Sequence, residues 1–433
     1  MMSRKHRVMR TTTIALLLTI CTLAGWWWSK NVNKGTSEAI INEKPVTLTM
    51  LAYWEAEVGP VLDEMNQRFQ KKYPNIKIDY EYAPVDQYQS LIKTRIASGD
   101  APDLFHVFPG TWKDPFVKAG YLMDLSDRPW VSRLQADAKE MESVNGKVYG
   151  LPLNKNAIGV IYNRKIFSDL RLTVPKNWNE FLAVCDKMKA ENITPLAIGN
   201  RDLWVTQIIP FAMAPSAIYR DHPSFDQDMY DGKVTFANSP WNQMMTDYVD
   251  LIERGYFNDG VLNTGFDQMV QLLATGKAGM MVMGNWALPT ISAFNPEADM
   301  GMFPLPYVKP GEKTYVAVGL SLGLGASATT EHPEEVKKYI DFWAEPENNE
   351  MLLKQTQAFP VFTDVHPELN STLKELTPYM NIGTYHFLDQ RWPQGVQDTM
   401  FAGIRSVLVD GGRTYPIEKM LKEMDRVFKE KKN

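Results

Sequence analysis

Cysteine is nearly absent: 433 residues contain Cys21 and Cys185 and no others. Cys21 lies in an apolar N-terminal stretch. If that stretch is removed or membrane-embedded, no internal disulfide can form and the fold must rest on its core. Histidine is also scarce. His6, His106, His222, His332, His366 and His386 show no H-x-x-x-H or H-E-x-x-H spacing. With no cysteine pair either, a catalytic zinc is not expected, and no metal or cofactor is assigned. An excess of basic residues is missing too: 46 Lys and Arg face 51 Asp and Glu, for a formal charge of −5 and a pI near 5.8. Nucleic-acid binding needs clustered Lys and Arg and is not expected. Short internal repeats and low-complexity tracts are lacking as well.

What is present is length, ordinary hydrophobicity and many aromatic rings. A chain of 433 residues is too long for one compact core and suggests two domains. The 12 Trp, 18 Tyr and 19 Phe can serve a carbohydrate site, although most such rings build cores. Cys185 shares a helical face with Phe181, Leu182 and Met188 and reads as a small buried hydrophobe. At the N-terminus Arg4, Lys5, His6, Arg7 and Arg10 precede the apolar Thr11–Gly25, the pattern of an export signal. Residues 1–28 are therefore expected to be a signal peptide or an uncleaved anchor, with Trp26, Trp27 and Trp28 at a membrane interface. The polar residues 29–44 read as a tether.

From Val46 the pattern alternates strand and helix, which means mostly parallel sheets flanked by helices, an α/β fold. VTLTMLAY (46–53), IKIDYEY (76–82), LFHVF (104–108), AIGVIYN (157–163) and Gly279–Met283 read as strands. Pro60 and Pro333 are expected to open helices, Asp86 to cap one, and Asn177–Glu180 to form a capping box. Ile417 to Phe428 is strongly amphipathic. In GKAGMMVMGNWALP (276–289) an apolar strand breaks into Gly284-Asn285-Trp286. Trp286 either stands over a cleft at the strand's carboxyl end or caps a core; the pattern alone leaves both open.

Gly319-Leu320-Ser321-Leu322-Gly323 matches G-x-S-x-G, with His332, His366 and His386 downstream. The apolar run continues through Leu324 as a strand would, so the exposed elbow of a hydrolase is not expected. Gly323-Leu324-Gly325 with Ala328 imitates a dinucleotide fingerprint but comes late in the chain without an acidic partner.

Several segments together resemble one family. KYPNIKIDYEY, ASGDAPDLFHV, NKNAIGVIYNRKIF followed by VPKNWNEF, GKAGMMVMGNWA, and GLSLGLGASATTEHPEEVKKYIDFW run in the order found in extracellular solute-binding proteins. Those are the ligand-capturing subunits of bacterial ABC importers, and the chain is similar to their sugar-binding group over nearly everything after residue 45. Trp26 stands where a lipoprotein signal would carry its cysteine. The resemblance implies a two-lobe, periplasmic-binding-protein-like fold of type II. Residues 45–155 and 320–352 would form one lobe, and 156–319 and 353–433 the other. Crossovers would fall at Leu153–Ala157, Ala317–Ser321 and Gln357–Val361, with Gly319 as a hinge.

The implied function is capture of a mono- or oligosaccharide by hinge closure and delivery to a membrane permease, by an exported, tethered monomer. Sugar faces need flat rings, and hydroxyls need carboxylates, amides or guanidinium groups. Where strands meet loops, the candidates are Trp54, Glu55, Phe108, Gly110, Asn154 and Asn156. From AIGNRDLW come Arg201, Asp202 and Trp204, beside Trp286, Gly319 and Trp392. Alternatives are a secreted esterase using Ser321, a glycosidase using carboxylates such as Glu55 and Asp202, or the same fold taking a peptide, polyamine or anion.

Overall fold

Alternating burial along VTLTMLAY and IKIDYEYA makes two neighbouring strands, and the same grammar is repeated down the chain. The computed structural model describes residues 44–53, 55–410 and 416–432. The expected signal or anchor at 1–28 and the tether up to residue 43 lie outside the described residues. So does Trp54.

The strands are β1 (Val46–Tyr53), β2 (Ile76–Ala83), β3 (Leu104–Val107), β4 (Leu151–Pro152), β5 (Lys155–Asn163) and β6 (Thr194–Ala197). They continue with β7 (Ala278–Gly284), β8 (Met300–Phe303), β9 (Val316–Leu320), β10 (Gly323–Ala326) and β11 (Thr384–Tyr385). A two-residue hairpin, Ser143–Val144 with Lys147–Val148, stands apart. The first sheet has the order β2-β1-β3-β10-β4, and the second β11-β9-β5-β7-β6 with β8 also on β5. Among the described residues one strand of each sheet, β10 and β5, runs against the rest. Both reversed strands are the ones that enter from the other sheet, and each must turn back into its new neighbours.

Helices cover both sheets. Asn177 Oδ1 accepts the Glu180 N–H at 3.1 Å while Asn177 Nδ2 donates to the Glu180 carboxylate at 2.7 Å, fixing the start of Trp178–Ala190. Gly99, with φ +79°, ends Val85–Ser98 in the left-handed region. Two helix starts differ from expectation. The first helix begins at Glu55, with Pro60 inside its early turns, because a proline near an N-terminus removes few intrahelical bonds. The second begins at Val85, with Pro84 in the N-cap position and Asp86 inside the first turn.

The first sheet is sandwiched between two cores, one around Trp130, Phe69 and Tyr339, the other around Tyr88, Phe105 and Trp112. The second sheet has its own core, from Phe181 and Trp241 to Phe428. Each lobe thus buries apolar surface independently. Leu353, Ala358, Val361, Phe362 and Val365 pack in the first lobe's core. The return to the second lobe therefore comes after Val365, later than the expected boundary at 352/353.

Candidate functional site

The run Val316–Ala326 reads as one apolar segment but divides between the sheets, β9 in one lobe and β10 in the other. Ser321 and Leu322 are the link. Ser321 N–H donates to Asn154 O at 3.0 Å, and Leu153 N–H to Leu322 O, so this crossing is bonded to the crossing between β4 and β5. Lys155 and Phe359 exchange N–H···O bonds of 2.9 Å, which ties 357–361 to the same place before the chain returns to the second lobe. The serine sits in an extended link between two strands with no helix behind it, so the sharp strand-to-helix elbow of a serine hydrolase is absent here.

Asn285 binds these crossings together. It is fully buried; its Oδ1 accepts the Ala157 N–H at 2.7 Å, and its Nδ2 donates to Asn156 Oδ1 and Gln357 O, both at 2.8 Å. Asn156 Nδ2 donates on to Asn154 Oδ1 at 3.3 Å. Asn154 and Asn156, expected at the ligand, are each 4% exposed and spend their amides on this chain. Buried amides must be paired, and here the partners are the hinge itself. Gly319, expected as a hinge, has no positive φ; it lies in the β9 ladder opposite Asn156, and a Cβ there would sit 2.4 Å from the Phe387 ring. Its missing side chain makes room for that ring.

Over the hinge stands an aromatic wall from the second lobe. Trp286 follows β7, and a Cβ on Gly284 would fall 1.9 Å from its indole, so glycine lets the ring fold back over the strand end. Trp204, on the short helix Leu203–Gln207, lies 6.4 Å from Trp286 between centroids, and Phe387 lies 6.1 Å away. All three are half-buried. Phe387 carries no sequence signal of its own; the segment that holds it is irregular. Two predicted neighbours do different work. Asp202 accepts the Phe266 N–H at 2.7 Å, capping the helix Phe266–Ala274, and pairs with the Arg201 guanidinium at 3.3 Å. Arg201 is 55% exposed and lies where a side chain on Gly265 would be.

The first lobe presents Tyr53 and Phe108, with ring centroids 5.6 Å apart. The Tyr53 N–H donates to Nδ1 of buried His106 at 2.9 Å, and burial lowers the His106 pKa to about 4. Glu55 begins the first helix; its side chain lies outside the described residues. The turn Gly110–Lys113 is anchored by a fully buried pair, Lys113 Nζ to Glu142 Oε2 at 2.9 Å, with burial raising the Glu142 carboxyl against the pull of the ammonium. Trp112 is core, its indole N–H donating to Gln89.

The lobes touch where 390–394 meets that turn. Thr111 Oγ1 donates to Trp392 O at 2.5 Å, Gln394 Nε2 to Trp112 O at 3.1 Å, and Arg391 pairs with Glu140 at 2.9 Å. A Cβ on Gly110 would lie 1.8 Å from Gln390 O. Trp392 does not offer a face to ligand. It is 1% exposed, with Phe236 at 5.3 Å and Trp241 at 5.7 Å, and the Asp226 carboxyl is buried nearby. Burial raises that carboxyl, while the Tyr219 and Tyr385 hydroxyls donate to it at 2.7 and 3.0 Å. Beside this segment an interlobe cavity of ≈ 1190 Å³ is lined by Asp114, Glu140 and Tyr149 from one lobe and Asp226, Tyr230 and Arg391 from the other. Among the described residues no His, Cys, Asp and Glu cluster could hold a metal, and no helix is long and apolar enough to cross a membrane.

Two α/β lobes joined by bonded crossings, with a cavity between them lined from both, define a two-lobe binding-protein fold. The chain belongs to the bacterial extracellular solute-binding protein family, whose model matches residues 53–350. It is similar to the multiple sugar-binding protein of Streptococcus mutans, 26% identical over 360 residues that span 82% of this chain and 84% of the relative. The melibiose/raffinose/stachyose-binding protein MelE of Bacillus subtilis is 22% identical over 338 residues, 77% of this chain and 78% of MelE. Solved structures of the same fold include a chitin oligosaccharide binding protein, with TM-score 0.76, 24% identity, and coverage of 86% of this chain and 95% of that one. Another is RafE in complex with raffinose, with TM-score 0.76, 23% identity, and coverage of 89% and 100%.

Proposed function

We propose that this protein is the substrate-binding component of an ABC importer. It captures a mono- or oligosaccharide between its lobes by hinge closure and delivers it, unaltered, to a membrane permease. The observation that carries this reading is the aromatic wall of Trp204, Trp286 and Phe387 set over a laced interlobe hinge. Flat rings suit sugar faces, and contacts to both lobes exist only in the closed form, so ligand shifts the open–closed equilibrium by its differential affinity. The protein works outside the cytoplasm as a monomer, tethered to the outer face of the membrane by its N-terminal segment.

The non-enzymatic reading is supported by the link position of Ser321 and by the engagement of Asp202 with the Phe266 N–H and Arg201. An inorganic anion would leave the ring faces unused, whereas a polyamine or a peptide would use them through cation–π or stacking contacts, which is why both serve as controls. A thermal-shift panel of raffinose, stachyose, maltotriose and chitin oligosaccharides, with spermidine, a tripeptide and phosphate as controls, tests the ligand class. A saccharide is expected to raise the melting temperature. Trp286→Ala should weaken its binding by at least ~1 kcal/mol without changing the unliganded fold. A panel in which only a control stabilises the protein, or release of hydrolysed product, rejects the reading.

A further inference from the structure

Two segments meet where the lobes touch, and each donates a side chain to the backbone of the other. Thr111 Oγ1 of the first lobe donates to Trp392 O at 2.5 Å, and Gln394 Nε2 of the second donates to Trp112 O at 3.1 Å. Lys93 Nζ, on the helix Val85–Ser98, approaches Gln394 Oε1 at 3.5 Å. Each segment is fixed to its own lobe. Lys113 Nζ donates to Met141 O at 2.7 Å beside its pairing with Glu142, which holds the turn Gly110–Lys113. On the other side Trp392 is core, and the Tyr230 hydroxyl donates to Arg391 O at 2.9 Å. Gln390 Nε2 donates to Leu320 O at 2.9 Å, at the last residue before the crossing through Ser321 and Leu322. A segment so fixed moves with its own lobe, so opening breaks both bonds together. Both donors are half-buried, whereas the side chains of the Arg391–Glu140 pair are 33% and 61% exposed and add little.

We propose that Thr111 and Gln394 form a latch that draws the lobes together independently of ligand and so sets the affinity for every saccharide alike. The bonds are made by the chain's own atoms, so they favour the closed form whatever the cleft holds. A ligand that needs both lobes binds with its intrinsic affinity multiplied by the fraction of molecules already closed. Weakening the latch lowers that fraction and scales all affinities by one factor. A residue that touches ligand would scale them unequally, because each ligand meets it differently. Opening lets water replace the broken bonds, so each bond shifts the closing equilibrium by a modest amount, about two- to tenfold. The scaling of affinities rests on the saccharide reading of the cleft; the effect on the unliganded lobes does not.

Small-angle scattering and calorimetry on the full chain test this. Thr111→Val keeps the shape of the side chain and removes its donor, and Gln394→Ala removes the other. Each variant should show a larger unliganded radius of gyration than wild type, and a saturating saccharide should bring variant and wild type to the same value. Calorimetry with raffinose, stachyose, maltotriose and chitin oligosaccharides should find every saccharide that binds weakened by one common factor, about two- to tenfold. A merely structural role would lower the melting temperature and leave the unliganded radius and the affinities in place. An unchanged unliganded radius in both variants, or saccharides weakened by unlike factors, overturns the latch. If no saccharide binds, the functional reading falls, and the unliganded scattering still decides the latch.

Discussion

Asn285 and Trp286 are adjacent in the chain and face opposite demands: the amide is fully buried in the hinge, and the indole stands half-buried beside Trp204 and Phe387. The sequence singled out the tryptophan because a strand ends there; it gave the asparagine no role, because buried amide partners come from distant segments. That Trp392 is core is hidden in the sequence for the related reason that an indole in an irregular segment carries no sign of which side faces the core. His106 makes a residue-scale prediction. Its folded pKa of about 4 lies below the unfolded value, so the unfolded chain takes up a proton first as the pH falls below about 6.5. Its contribution is therefore intact above that pH and declines towards pH 4, by about 3 kcal/mol at most. Urea titrations at pH 7 and pH 4.5 should show a smaller loss of stability in His106→Gln than in wild type. Equal losses would remove His106 as a cause.

Elements were largely legible where burial has a period. β1 matches its predicted limits, Asn177 caps its helix although the Glu180 carboxylate reaches back to the Lys176 N–H rather than closing a capping box, and the helices from Pro333 and Ile417 begin as expected. The run Val316–Ala326 was not divisible from its pattern, because both halves are buried strands and hydrophobicity does not record a change of sheet. The crossings depend on the amide chain instead. Asn285→Ala would leave the Ala157 N–H and the Gln357 carbonyl without this partner in a buried hinge. The expected cost is about 2–3 kcal/mol of unfolding free energy. Denaturant unfolding measures it, and a change within error would mean that the hinge re-pairs without Asn285.

At the scale of the molecule, the meeting of the lobes is governed by a position with no side chain. Gly110 has φ +72°, and Gln390 O occupies the place of its Cβ. Gly110→Ala should strain the turn by about 1–2 kcal/mol and obstruct close approach of the lobes. Small-angle scattering with saturating saccharide should then report a larger radius of gyration than wild type; identical profiles would show that the lobes meet by another route. The sequence by itself determined the alternation of strands and helices, two lobes, the family resemblance and the tryptophan at the end of β7, because these follow from local period, length and ordered segments. Only the tertiary structure decided that Asn154 and Asn156 serve the hinge, that Trp392 is core, that Phe387 joins the wall and that Gly110 admits Gln390. Each of those depends on which distant atoms arrive within about 4 Å, a quantity that hydrophobic period does not encode.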